Sequence, residues 1–183
     1  MMDELQQLEE ANLVLLAQEG DAGAFRQLVE LYDRRLLYFI RRLLNETEEA
    51  FDVLQEVWLR VHRSLHKLRS PRAFRVWIYR IAHAQVMSAL RRKRVLVTYE
   101  ELPLDQVPDV TLTETSFEAA DAVHAALETL SLDHRRVLTL RFLEDMSVED
   151  IAFVLECKAG TVKSRLHYAK AALGRRIEEE NNG

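Results

Sequence analysis

One cysteine, three prolines and five glycines in 183 residues are few, and each shortage excludes something. Cys157 alone cannot close an internal disulfide or build a metal cage, which fits a reducing compartment. The scarcity of proline and glycine argues against a turn-rich sheet protein and predicts an all-α fold. No run of about 18 apolar residues occurs, and the start MMDELQQLEE has neither a basic flank nor an apolar centre, so export and membrane insertion are not expected and the cytoplasm is the default. No phosphate-binding glycine loop, HExxH or nucleophile-base pair stands out, which gives no support to an enzyme. His62 and His66 have the i,i+4 spacing of a zinc pair, but no third ligand accompanies them. Neither a metal nor a cofactor is expected.

Charge of one sign is missing over long stretches. From Val57 to Tyr99 there are 11 lysines and arginines and no acid, whereas Val95 to His134 holds 9 acids and no lysine or arginine. The formal net charge of -5 therefore conceals two opposed blocks. An acid-free basic tract suits a polyanion, because each cation placed on a phosphate releases condensed counterions. A solvated helix face also carries charge, but it usually intersperses both signs for i,i+4 pairing.

Hydrophobic spacing predicts helices over 11–19, 21–44, 47–67 and 71–94. Asp21 is placed to cap the second, whose apolar stripe is Phe25, Leu28, Val29, Leu31, Tyr32, Leu36 and Phe39. In the third, Phe51, Leu54, Trp58, Val61 and Leu65 are expected to face inward. Ser70-Pro71 breaks the chain before the fourth, in which Phe74, Trp77, Ile78 and Ile81 form a core face. The opposite stripe then carries Arg72, Arg75, Tyr79 and His83, with Arg80 beside it. Residues 95–117 contain two of the three prolines and no helical period, and read as an acidic linker between two small helical domains, 1–94 and 118–183.

The second domain carries the more specific pattern. Helices are expected over 118–130 and 133–143; then Ser147 opens SVEDIAFVL with Asp150 placed for a capping box, and ECKA leads into GTVKSRLHYAKAALGRRI. Helix, tight turn, helix is the layout of a helix-turn-helix, whose second helix enters the DNA major groove. Val162, Leu166, Ala169 and Leu173 turn inward, which leaves Lys163, Ser164, His167 and Tyr168 outside as a donor-rich face for base edges and phosphates. An ordinary αα-hairpin with a polar surface has the same pattern.

LSLDHRRVLTLRFLEDMSVEDIAFVLECKAGTVKSRLHYAKAAL resembles region 4 of a bacterial RNA polymerase sigma factor, and EEAFDVLQEVWLRVHRSLHKLRSPRAFRVWIYRIAHAQVMSALRRKR resembles region 2. Their order, with no domain between them, is similar to the extracytoplasmic function (ECF) group, and the resemblance spans roughly residues 11–177. It implies a factor that binds core RNA polymerase and directs it to promoters. Glu49, Asp52, Gln55 and Glu56 match the stretch that docks on the β′ coiled coil, and Glu49, Asp52 and Glu56 share one helical face. Leu68, Arg69, Ser70 and Arg72 match the loop that captures a flipped base of the minus-ten element; Arg75, Tyr79, Arg80 and His83 would follow the exposed strand, where cations and planar groups serve backbone and bases. Lys163, Ser164, His167 and Tyr168 match the readers of the minus-thirty-five element, with Arg141 and Arg165 on phosphates and the first helices of region 4 on the β flap. The acidic linker corresponds to the segment threaded toward the active-site and RNA-exit channels, and an anti-sigma factor is the expected restraint. A stand-alone helix-turn-helix regulator with a sensing domain, or a pure interaction protein, would use the same two modules without polymerase.

The chain departs from the family pattern at several points. Ala84 and Ser88 stand where an Asn and an Asp are usual, so the promoter sequence does not carry over. Phe51 replaces an acid of the polymerase-facing strip, and Asp145 and Glu156 occupy positions where glycine is common. Thr47, beside Glu48 and Glu49, is a site at which phosphorylation by a Ser/Thr kinase would restore that lost acidity.

Overall fold

The computed structural model describes residues 4–44, 47–99, 127 and 129–181. These form seven α-helices and, among the described residues, no strand. Four make up the amino-terminal half: α1 (Glu4–Gln18), α2 (Ala22–Leu43), α3 (Thr47–Ser64) and α4 (Phe74–Tyr99). The other three are α5 (Leu132–Leu138), α6 (Val148–Val154) and α7 (Ala159–Asn181). Most of the expected linker and the expected helix over 118–130 lie outside the described residues.

Local chemistry sets the boundaries. The Asp21 carboxylate accepts from the Gly23 and Ala24 amides at 2.7 and 2.9 Å, satisfying donors that the first turn of α2 would otherwise leave bare. Between α3 and α4 the chain makes two short 3-10 turns, Leu65–Lys67 and Pro71–Ala73, because proline has no amide to donate and its fixed φ suits a helix start. The third helix ends at Ser64, a residue before Leu65, and the fourth begins at Phe74 rather than Pro71. Helix α5 is also shorter than its apolar spacing suggests: it passes into a π-helical turn over Thr139–Leu143, closed by the Glu144 amide donating to the Thr139 carbonyl. Ser147 and Asp150 form the expected reciprocal capping box at α6.

Apolar faces of α1 to α4 close on Leu28, Tyr32, Leu36, Phe39, Val57, Val61, Phe74 and Ile78, all buried. Phe74 meets Tyr32 edge-on at 5.4 Å, and Phe39 meets Tyr79 in the same way at 5.3 Å. Phe74→Ala should cost about 3–5 kcal/mol of stability, read as a shifted denaturation midpoint with an unchanged slope. Two residues of the expected inward stripes are exposed instead. Leu31 lies outside the buried line of α2, and Phe51 lies outside a buried face of α3 made by Ala50, Val53, Leu54, Val57 and Val61. At 100° per residue Phe51 falls at the edge of that face, roughly a quarter-turn from its centre, and there it lies exposed. It sits under the Arg41 guanidinium, 5.8 Å from its ring centroid.

A single continuous apolar core includes residues of both halves. Helix α6 packs on α4, and α5 packs on α2. The first helix of the helix-turn-helix therefore rests on the helix that carries the acid-free basic tract.

Candidate nucleic-acid interface

Helix α7 presents the face its spacing foretold. Val162, Leu166 and Ala169 are buried, and Lys163, Ser164, His167 and Tyr168 are exposed. The His167 and Tyr168 rings meet edge to face at 5.4 Å, and the Ser164 hydroxyl donates to the Thr161 carbonyl at 3.0 Å. The turn from α6 into α7 requires the left-handed backbone that only glycine adopts without strain: Glu156 has φ of 52°. Asp145, just before α6, has φ of 46°. These are the two positions at which the sequence departs from an expected glycine, so the geometry of the motif is kept at a conformational cost of roughly 1 kcal/mol each.

The two phosphate candidates beside this face are engaged internally. Arg141 donates to the Met146 carbonyl at 2.7 Å, which ties the π-helical turn to the start of α6. Arg165 pairs with Asp133 at 2.5 Å, and Arg136 pairs with the same carboxylate.

On the amino-terminal half, Glu49 is half-buried and Asp52, Gln55 and Glu56 are exposed, so the acidic strip on α3 faces outward. The loop before α4 is held from beneath. The Gln18 side-chain amide donates to the carbonyls of Leu65 and Leu68 at 2.9 and 2.8 Å, and Leu8, Ala11, Asn12 and Leu15 of α1 line one wall of a groove whose other wall is residues 69–72. Arg69, Ser70 and Arg72 are exposed there, and Leu68 is half-buried. Gln18 was not among the expected site residues, since an isolated glutamine near a helix end has no pattern that marks it.

Helix α4 is where expectation and structure part. Tyr79 and His83 are not on an open stripe: both are buried. Tyr79 meets Phe39 edge-on, and the Glu144 carboxylate lies near its hydroxyl. Burial, reinforced by the nearby Glu144 charge, pushes its pKa well up, so it stays neutral. His83 lies against the Arg136 guanidinium, Nε2 to Nη1 3.2 Å. Arg75 donates to the Glu144 backbone carbonyl at 3.1 Å, and Arg80 reaches the Glu156 carboxylate through Nε at 3.1 Å and Nη2 at 2.5 Å. The face reasoned to be solvent-exposed is covered by the carboxy-terminal half, and periodicity within one helix carries no information about that.

Three further contacts bind the halves. Arg35 of α2 pairs with the buried Glu144 carboxylate at 2.6 Å, Arg80 stacks 4.6 Å from the Phe153 ring centroid, and Arg135 donates to the Arg42 carbonyl at 2.9 Å. Burial, and then the neighbouring Arg136 charge, lower the His83 pKa to about 4, against the opposing charges of Glu156 and Asp133. A folded-state pKa below the ordinary 6.5 means that the unfolded chain binds the extra proton first. Stability from neutral His83 is thus complete above pH 6.5 and is lost as pH falls toward 4. Glu10, raised by burial, has the opposite slope. A His83→Gln variant should therefore lose less stability than the parent between pH 7.5 and pH 5, measured by denaturant unfolding.

Among the described residues, no group of three metal-ligating side chains is brought together, and no helix is long and apolar enough to cross a membrane.

Comparison with known proteins agrees with this arrangement. The family model for sigma-70 region 2 matches residues 28–95, and the model for sigma-70 region 4 matches residues 120–173. The RNA polymerase sigma-H factor of Pseudomonas aeruginosa is 34% identical, over 95% of this chain and 96% of that protein. The ECF RNA polymerase sigma-E factor of Escherichia coli K12 is 31% identical, over 94% and 96%. Among solved structures, RpoE in complex with the anti-sigma factor NepR from Bartonella quintana aligns with a TM-score of 0.72 at 23% identity, covering 84% of this chain and 96% of that one. CnrH in complex with the cytosolic domain of CnrY aligns at 0.68 and 22%, covering 93% and 97%; both likenesses speak to the fold. Two helical modules in this order, matched over nearly the whole length by curated relatives, show that the chain belongs to the sigma-70 family of RNA polymerase sigma factors, in its extracytoplasmic function group.

Proposed function

We propose that this sigma factor divides promoter recognition between its halves, with residues 1–94 binding polymerase and opening the minus-ten element, 118–183 gripping the minus-thirty-five duplex, and 95–117 joining them. The observation that carries this reading is the pairing of two chemistries on one chain. An acid-free basic tract with an arginine-bearing loop suits single strands, and an exposed Lys163, Ser164, His167 and Tyr168 face at the start of a second helix suits a major groove. Relatives that cover both halves weigh against a stand-alone regulator.

The exposed acids Asp52 and Glu56, with Gln55 and Glu49, would meet the β′ coiled coil of core polymerase, a basic partner for a negative strip. Leu68, Arg69, Ser70 and Arg72 would take the flipped base, and Arg75 and Arg80 the strand backbone. Arg141 and Arg165 would contact duplex phosphates once released from Met146 and Asp133. Thr47 begins α3 immediately before Glu48 and Glu49, where a phosphate would add to the acidic strip. An anti-sigma partner follows by analogy with the bound states of RpoE and CnrH.

The test is reconstitution: purified core polymerase, genomic promoter fragments and this chain. Start-site-specific transcripts that require the chain are expected. Tight duplex binding by the chain alone, with no dependence of transcription on it, would favour a stand-alone regulator instead.

A further inference from the structure

We propose that Gln18 is a positioning residue for strand capture: its side-chain amide ties the backbone of the 65–72 loop to α1, and so governs both the rate of minus-ten opening and the discrimination among captured bases. The inference rests on the proposed role of Leu68, Arg69, Ser70 and Arg72, and goes beyond it by naming what holds that loop before a strand arrives. The loop has little of its own to hold it. Two short turns are closed locally, by the Leu68 amide donating to the Leu65 carbonyl and the Ala73 amide donating to the Ser70 carbonyl, each at 3.0 Å. Between them Leu68 and Ser70 are extended, with ψ of 109° and 107°, and no helical hydrogen bond fixes one turn relative to the other. Gln18 Nε2 donates to the Leu65 carbonyl at 2.9 Å and to the Leu68 carbonyl at 2.8 Å, 47 and 50 positions along the chain. One side chain therefore braces the first turn and the start of the extended stretch against a different helix.

The brace stands on a fixed base. Glu10, Val14 and Gln18 recur every fourth residue and share one face of α1. Glu10 is buried and accepts from the Tyr32 hydroxyl at 2.5 Å, and Val14 is buried in the core. Immediately after Gln18 the helix is closed by the Gly20 amide donating to the Ala17 carbonyl at 3.2 Å and the Asp21 amide donating to the Leu16 carbonyl at 3.0 Å. Gly20 has φ of 98°, the left-handed conformation that such a helix end requires. The backbone of Gln18 is thus held from both sides, and its half-buried side chain has a defined direction. The acceptors are both carbonyl oxygens, so only the NH2 end of the amide suits them, and a carboxylate of the same shape would set oxygen against oxygen. Arg69, Ser70 and Arg72 stay exposed while the backbone beside them is tied down. A loop ordered in advance loses less conformational freedom when it binds, and it holds its contacting groups where one base fits and another does not.

The test uses holoenzyme reconstituted with the full chain, on promoter templates that differ only at single minus-ten positions. Opening rate, upstream duplex protection and core affinity are read for each variant, and amide hydrogen exchange over 65–73 is read on the chain itself. Gln18→Ala should slow opening about tenfold, the worth of two neutral hydrogen bonds, and Gln18→Glu should slow it further. Both should narrow the spread of rates among the templates and speed exchange over 65–73, with core affinity and upstream protection unchanged. Gln18→Lys, which keeps a donor, should recover most of the rate and the spread. Gln7→Ala, at an exposed glutamine of the same helix, should change nothing. Parent-like opening and template discrimination in Gln18→Glu, while Arg69→Ala with Arg72→Ala loses opening, overturns the role of Gln18 and leaves the loop assignment standing. Parent-like opening in that arginine variant overturns the loop assignment and this inference with it. Equal losses in core affinity and upstream protection would mean a weakened fold, and equal behaviour of the alanine, glutamate and lysine variants would remove the need for a donor; either overturns the positioning role.

Discussion

Asp52→Lys combined with Glu56→Lys should abolish capture of this chain by core polymerase. Both side chains are exposed on α3, four residues apart and one turn from each other, and neither takes part in the apolar core. Their reversal should therefore leave the fold intact while placing two positive charges against a basic partner. Juxtaposed like charges cost several kcal/mol at an interface. A loss of 2.7 kcal/mol is about a hundredfold in affinity, and two reversals should exceed it. Co-elution of holoenzyme on a sizing column, with circular dichroism to confirm helix content, measures the outcome. The strip is already thinned by Phe51, which stands exposed beneath Arg41, so Phe51→Glu should move affinity the other way.

Arg69→Ala with Arg72→Ala should cut promoter opening about a hundredfold at unchanged holoenzyme formation. These arginines are exposed on a loop that Gln18 and the groove wall of α1 hold in place, so they are positioned without being needed for packing. Hydrogen bonds to charged groups contribute about 1.5–3 kcal/mol each, and two of them reach that factor. Arg75 and Arg80 are poorer probes, because they also hold the two halves together. Their removal would loosen the closed state and weaken strand contact at once, with opposing effects on binding.

How far the sequence carried the account follows the range of each interaction. The caps at Asp21 and Ser147 and the outward face of α7 are set within a few residues and were legible in local pattern, whereas the left-handed positions Asp145 and Glu156 were marked only by the family resemblance, which places glycine there. The inward placement given to Phe51 and Leu31 was wrong because each stands three residues from a buried leucine, Leu54 and Leu28, at the edge of its stripe, where spacing admits a residue but tertiary packing decides whether it is covered. The open stripe assigned to Tyr79 and His83 failed for a different reason. Their cover comes from Glu144 and Arg136, 65 and 53 positions away in the chain, and only tertiary packing brings these together. Glu144 itself sits in no motif. Its signal is a single acid after the π-helical turn, indistinguishable by sequence from the exposed Asp145 that follows it.

The division of labour between the halves is tested most directly by footprinting one responsive promoter with holoenzyme, reading upstream duplex protection and permanganate reactivity of minus-ten thymines in the same complexes. Lys163→Ala should lose the upstream protection and, with it, most of the reactivity. Arg69→Ala with Arg72→Ala should keep the protection and lose the reactivity. Full thymine reactivity in the arginine variant, or intact upstream protection in the lysine variant, would contradict the account.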